Sequence, residues 1–174
     1  MTENNLTITN LHDLLDYNAR KFANAEIQLR NSLIEWIVKT SSLKLKDVLR
    51  KYLGFIQQHI QQLESFFEAE QISSLSSSNR IMKSFIEETE EKLNKCTDAE
   101  VCDACLLASV QDINHFKISL YGTAAAFARE LDMEKFASVF HEAEINEKQI
   151  DDRLSQLAGY EINTRARAHI ALIV

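Results

Sequence analysis

There is no proline among the 174 residues and there are only three glycines, Gly54, Gly122 and Gly159, so almost nothing in the chain interrupts a helix. No segment alternates apolar and polar residues with period two between turn-bounded ends, which leaves strands without a signature. Apolar runs are short as well. None approaches the roughly 20 residues needed to span a bilayer, and the first ten residues, MTENNLTITN, lack the basic and apolar regions of a secretory signal. Positive charge is scarce: the formal net charge is −7 and the isoelectric point near 5.3. Phosphate backbones would therefore be repelled, and the cluster Arg165, Arg167 and His169 is too small to reverse that, so no nucleic-acid partner is expected. Three cysteines (Cys96, Cys102, Cys105) are an odd count, unsuited to a disulfide framework. Cys102-x-x-Cys105 sits inside a helical pattern and reads as small apolar helix residues, with a zinc or redox site as the alternative. A glycine-rich phosphate loop, a nucleophile turn and an oriented Cys/His pair are all missing, so nucleophilic catalysis has no support. The expectation is a soluble, cytoplasmic, all-α protein of one domain, without a membrane partner and more in keeping with a non-enzyme than an enzyme.

What the chain does contain is four long apolar stripes with alternating spacings of four and three. The first runs Leu15, Ala19, Phe22, Glu26, Leu29, Leu33, Trp36, and the second Leu45, Leu49, Tyr52, Ile56, His59, Leu63, Phe66. The third is Leu106, Val110, Ile113, Lys117, Leu120, Ala124, Phe127, Leu131, and the fourth Phe136, Phe140, Ala143, Glu147, Ile150, Leu154, Leu157. Such spacing puts each set on one face of a helix in a left-handed bundle. Each stripe is interrupted by one charged or titratable residue. Lys117 and Glu147 lie 15 residues before and after the turn at Leu131-Asp132-Met133, so they are expected at one height. Glu26 and His59 lie 15 and 18 residues from a turn near residue 41, a difference of about 4.5 Å along the axis.

Residues 1–9 read as a flexible N-terminus, 10–160 as the bundle and 161–174 as a C-terminal tail. Thr9 or Asn10 is the candidate cap of the first helix, Ser41-Ser42 a turn, and 71–78 (QISSLSSS) a serine-rich connection. A shorter helix, about 79–95, carries Ile81, Met82, Phe85, Ile86 and Leu93 on one side and Glu87, Glu88, Glu90 and Glu91 on the other. It serves as the crossover between two helical hairpins. Thr97-x-x-Glu100 is a candidate capping box, and Gly159 a candidate helix stop. Hairpin, long crossover, hairpin is the ferritin-like four-helix arrangement, whose sites are built from inward side chains at mid-height.

Three readings of Glu26, His59, Lys117 and Glu147 follow. In the first they form a structural polar layer, the two carboxylates balanced by Lys117 and His59, and no cofactor is bound. In the second Lys117 snorkels to the rim and Glu26, His59 and Glu147 hold one iron, manganese or zinc ion, as a metal-binding protein or oxidoreductase would require. In the third the stripes are off by one position and these side chains are solvated. Glu144 is placed to assist either of the first two, while His141 and Glu142 face solvent. Ile27, Ile34, Ile37 and Val38 make a second apolar stripe on the first helix, a candidate interaction face.

Four segments carry a resemblance: AEIQL (Ala25–Leu29), IEETEEKL (Ile86–Leu93), AEVCDACLLASVQDINHFKISLYGT (Ala99–Thr123) and NEKQIDDRLSQLA (Asn146–Ala158). They are similar to segments of the YciE/YciF-like family of ferritin-like bacterial stress proteins, over roughly residues 10–158. The resemblance implies a ferritin-like bundle, a homodimer and, in many members, a carboxylate-lined metal site. Glu26 and Glu147 match acidic family positions, and His115 matches a common histidine. Phe55, Asn114, Lys117 and Asn146 fall where the family has glutamates. Four acidic positions are therefore lost, one with reversal of sign, which implies a degenerate metal site in a stress-associated protein.

Overall fold

The computed structural model describes residues 7–72 and 78–167, so the expectation of flexibility at residues 1–6 and the end of the tail, 168–174, lie outside the described residues. Helix α1 spans Leu11–Lys39, α2 Leu43–Ala69, α3 Arg80–Lys95, α4 Ala99–Glu130 and α5 Glu134–Leu157. A π-helical turn, Ala158–Ile162, leads into the short α6, Asn163–Ala166. The α1/α2 and α4/α5 hairpins pack with α1 beside α4 and α2 beside α5, and α3 lies across α1 and α4. The architecture is the all-α, ferritin-like four-helix bundle with a crossover helix.

The helix ends follow from local chemistry. Asn10 caps α1, its side chain accepting from the Asp13 N–H at 2.8 Å, and Ser42 caps α2 by accepting from the Leu45 N–H. Two helices end on left-handed residues that are not glycine: Gln71 after α2 (φ 55°) and Asp132 after α4 (φ 56°). At each, the next amide reaches back five residues, Ile72 N to Phe67 O and Met133 N to Ala128 O, both at 2.9 Å, which satisfies a terminal carbonyl. At the α1/α2 turn the buried Asp103 of α4 accepts from the backbone N–H groups of Ser41 and Ser42 at 2.9 and 2.7 Å. One hairpin is thereby pinned to the other.

The crossover is tied down at both ends. Asn79 caps α3 and also donates its side-chain amide to Lys21 O on α1, while the Asn79 N–H donates to Asn24. Further along, Glu90 accepts from the Trp36 indole and from Lys39. Met82 is fully buried and Phe85 packs on Phe116, but Ile81 faces outward rather than joining them, since it lies on the solvent side of the helix.

Four further details differ from the sequence expectations. Asp98, not Thr97, caps α4, its carboxylate accepting from the Glu100 and Val101 N–H groups; an anion one residue later serves the helix N-terminus better than a hydroxyl. In the second half of α4 the deepest face is Tyr121, Ala124, Ala125 and Ala128, with Leu120, Phe127 and Leu131 half-buried around it. The face drifts because 3.6 residues per turn do not match a strict seven-residue repeat, and the alanines let neighbouring helices approach. Gly159 stops nothing. The backbone widens there into the π turn, which places Ile162 in the core and carries helix past residue 160. The second stripe on α1 is divided: Ile37 is buried and Ile27 packs on the core, leaving Ile34 48% and Val38 77% exposed.

The interior is two apolar clusters. One lies toward the α1/α2 turn, around Leu29, Leu33, Trp36, Leu45, Leu49, Ile56, Val110 and Leu154. The other lies toward the α4/α5 turn, where Phe66 meets Phe136 and Phe140 edge-on at 4.9 and 5.5 Å. Each large apolar side chain so buried contributes about 1.5–3 kcal/mol. The chain positions between the clusters are 26, 59, 117 and 147.

Candidate functional site

On each of the four bundle helices the inward stripe reaches that mid-level with a polar residue, and the structure brings all four together. Glu26, His59, Lys117 and Glu147 are essentially inaccessible to solvent. The Lys117 Nζ lies 2.6 Å from Glu147 Oε1 and 3.0 Å from Glu26 Oε2. His59 Nδ1 faces the same two carboxylates, at 3.2 Å from Glu26 Oε1 and 3.5 Å from Glu147 Oε1. Because a carboxylate only accepts, Nδ1 carries the proton of those contacts. His59 Nε2 is buried without a hydrogen-bond partner among the described residues.

Three further side chains complete the layer: Tyr52 and Tyr121 were not singled out from the sequence as site residues, and Asn114 only as a position where the family has a glutamate. Tyr121 donates its hydroxyl to Glu26 Oε1 at 2.5 Å. Tyr52 donates to Glu147 Oε2 at 2.7 Å and accepts from Lys117 Nζ at 3.2 Å. Asn114 donates one amide to both Glu147 Oε2, at 2.7 Å, and Glu147 O, at 3.0 Å. A signal for Tyr52 existed: it lies seven residues before His59 on the same stripe, and a buried tyrosine hydroxyl needs a partner. Tyr121 follows Lys117 by four residues, one turn along the same face.

The electrostatics follow from this geometry. Burial alone would raise the Glu26 carboxyl, but Lys117, the His59 contact and the Tyr121 hydroxyl outweigh it and hold it at about 2. Glu147 is pushed up from the usual carboxylate range by burial and by Glu26, with Lys117 opposing. The two carboxyls share one ammonium and titrate as a pair. Lys117 loses solvation, yet Glu147 and Glu26 more than offset this and raise its pKa, so the ammonium form persists. Burial and the adjacent carboxylates lift both tyrosine hydroxyls well above their ordinary value, keeping them as donors.

The neighbouring candidates do not join the layer. Glu144 pairs with Lys148 and His141 near the surface, and His141 and Glu142 are exposed. His115 meets Asp151 at 2.9 Å, largely in solvent. Phe55 stacks on the His59 ring, with centroids 6.4 Å apart and planes within 7°. Asn146 is buried, its Nδ2 without a partner among the described residues. The cysteines are half-buried free thiols; burial pushes Cys102 up to about 11 and raises Cys105, which keeps both protonated.

The chain matches a known family across nearly all of its described residues. The family model, described only as a domain of unknown function, DUF892, covers residues 10–167. The chain belongs to the DUF892 family. YciF of Escherichia coli K12 is 31% identical over 143 residues, 82% of this chain and 86% of YciF. The crystal structure of that E. coli stress protein matches with a TM-score of 0.83 at 28% identity, covering 90% of this chain and 99% of that one. YcfI from Rhodopseudomonas palustris shares the fold, with a TM-score of 0.82 at 24% identity over 89% of this chain and 98% of its own. The YciF-like resemblance of the four sequence segments is thus shown over the whole bundle of this DUF892 member. No helix among the described residues is long and apolar enough to cross a membrane.

Proposed function

We propose that this DUF892 member is a stress-associated, non-catalytic bundle protein in which an ion-paired layer stands in place of a carboxylate metal centre. The observation that carries this reading is the Lys117 ammonium, within 2.6 and 3.0 Å of the two carboxylates that a metal ion would need. A two-metal centre of the ferritin-like kind needs several anionic oxygens to offset its charge and fill its coordination positions. Among the described residues Glu26 and Glu147 are the only carboxylates in the layer, and Lys117 neutralises one of their two charges. Around them Asn114 donates its amide N–H to Glu147 and Phe55 stacks on His59, and neither adds an anionic oxygen. The donor set does not fit two metals. What it does supply is register: a buried set of paired charges and hydroxyls contributed by four helices penalises any sliding of one helix against another.

The reading includes a cytoplasmic location and a homodimer as the working form, with Ile34 and Val38 of α1 as candidate contact residues. Light scattering on the purified chain and on Val38→Lys measures that part.

A second reading has one observation in its favour. One donor atom each from Glu26, His59 and Glu147 lies within 4.8 Å of the other two, close enough for a single iron, manganese or zinc ion if Lys117 swings away. Elemental mass spectrometry separates the two, on protein purified without chelator and then exposed in turn to ferrous, manganous and zinc ions. The expected result is no bound metal whose retention depends on Glu26, His59 or Glu147. Near-stoichiometric metal that disappears in Glu26→Ala would overturn the ion-pair reading in favour of the second.

A further inference from the structure

Far from the mid-bundle layer, the open end of the α1/α2 hairpin gathers a second titratable cluster. His12 and Asp16 stand one turn apart on α1, and Glu70 follows the last residue of α2. His12 Nε2 is 2.8 Å from Glu70 Oε2, and His12 Nδ1 is 3.8 Å from Asp16 Oδ2. One donor atom from each of the three residues lies within 4.8 Å of the other two. Asp16 Oδ1 is buried and has no hydrogen-bond partner among the described residues, an arrangement that costs free energy unless something answers it.

We propose that His12, Asp16 and Glu70 are three ligands of a divalent first-row transition-metal ion that clasps the start of α1 to the end of α2. One imidazole nitrogen and two carboxylates are a donor set suited to zinc, manganese, ferrous or cobaltous ions, with remaining positions open to water. The half-exposed His12 provides an entry path, which the mid-bundle layer lacks. Charge favours it too. Asp16 and Glu70 set two carboxylates around one imidazole, and like charges so placed repel each other. A dication relieves that repulsion.

Cobalt titration of the metal-free chain tests this. Cobalt held by nitrogen and oxygen gives visible d–d bands without the near-ultraviolet charge transfer that the cysteine thiolates would add. The expected result is one equivalent bound, displaced by zinc, with affinity about 100-fold weaker in His12→Ala, since loss even of an outer partner costs 10–100-fold. Zinc should raise the melting temperature of the unmodified chain and leave that of His12→Ala unmoved, while circular dichroism shows the variant folded. Absence of d–d bands, or affinity unchanged in His12→Ala, would overturn the site and leave the ion-pair reading of the core untouched. Binding that survives His12→Ala but is lost in His59→Ala would overturn both. Thiolate charge transfer lost in Cys102→Ser would move the metal to the cysteines and overturn the site alone.

Discussion

The Lys117 ammonium lies 4.6 Å from the centroid of the Tyr52 ring and 3.2 Å from its hydroxyl. The same hydroxyl donates onward to Glu147. A buried cation thus meets an aromatic face, a hydroxyl and two carboxylates at once, and each partner offsets part of what it lost by leaving water.

Removing the cation should be the most damaging change in the layer. Lys117→Ala leaves Glu26 and Glu147 facing each other in the core with no compensating charge. The expected loss is about 3–5 kcal/mol, or roughly 6–20 °C in melting temperature for a chain of this size. Thermal unfolding followed by circular dichroism measures it. A loss below about 1 kcal/mol would mean that Lys117 is not bearing the two carboxylates.

Tyr121→Phe removes one charge-assisted donor from Glu26 and little else. Hydrogen bonds to charged groups are worth about 1.5–3 kcal/mol, so urea unfolding should show a loss of that order. Without that donor the Glu26 carboxyl should also rise from about 2, moving the acid-unfolding midpoint of the variant to higher pH.

Stability should fall at both extremes of pH, for different residues. Glu26 is depressed in the folded state to about 2 from an ordinary 4.5, so its contribution is complete above 4.5 and lost as pH falls toward 2. Glu147 is raised, so its folded form takes up a proton more readily, and this partly opposes the loss. Lys117, Tyr52 and Tyr121 are all raised, so their contributions are complete below about pH 10 and disappear as pH climbs through the folded values. Urea midpoints measured across pH should show an acid limb between about 4.5 and 2 and an alkaline limb above 10. In Lys117→Met, tested where it remains folded, the alkaline limb should be shallower.

Gln71 holds a left-handed backbone at the end of α2, with φ at 55°. A left-handed residue other than glycine costs about 1–2 kcal/mol, and glycine is the residue such helix ends favour. Gln71→Gly should therefore stabilise the chain by about 1 kcal/mol and raise its melting temperature by roughly 2–4 °C. A decrease would show that the α2 terminus depends on the glutamine side chain.

Periodicity along single helices carried much of this protein. The four stripes, the two hairpins and the crossover all follow from a repeat of alternating fours and threes with little proline or glycine to disturb it, because helical geometry converts chain distance directly into height and facing. The same arithmetic assigned Glu26, His59, Lys117 and Glu147 to one level, since each helix is continuous between its turn and that level. Sequence is a poor guide wherever a residue's role depends on what faces it from another helix. The hydroxyls of Tyr52 and Tyr121, the amide of Asn114 and the Asp103 carboxylate beneath the Ser41-Ser42 turn acquired their roles only when four helices converged. Gly159 misled because a glycine signals a stop only if its backbone turns left-handed, and the burial of Ile162 favoured a π turn instead. Tertiary structure also brought Glu70 to His12 and Asp16 across 58 and 54 residues of chain. No local period encodes that meeting; it comes from antiparallel packing, which returns the end of the second helix to the start of the first.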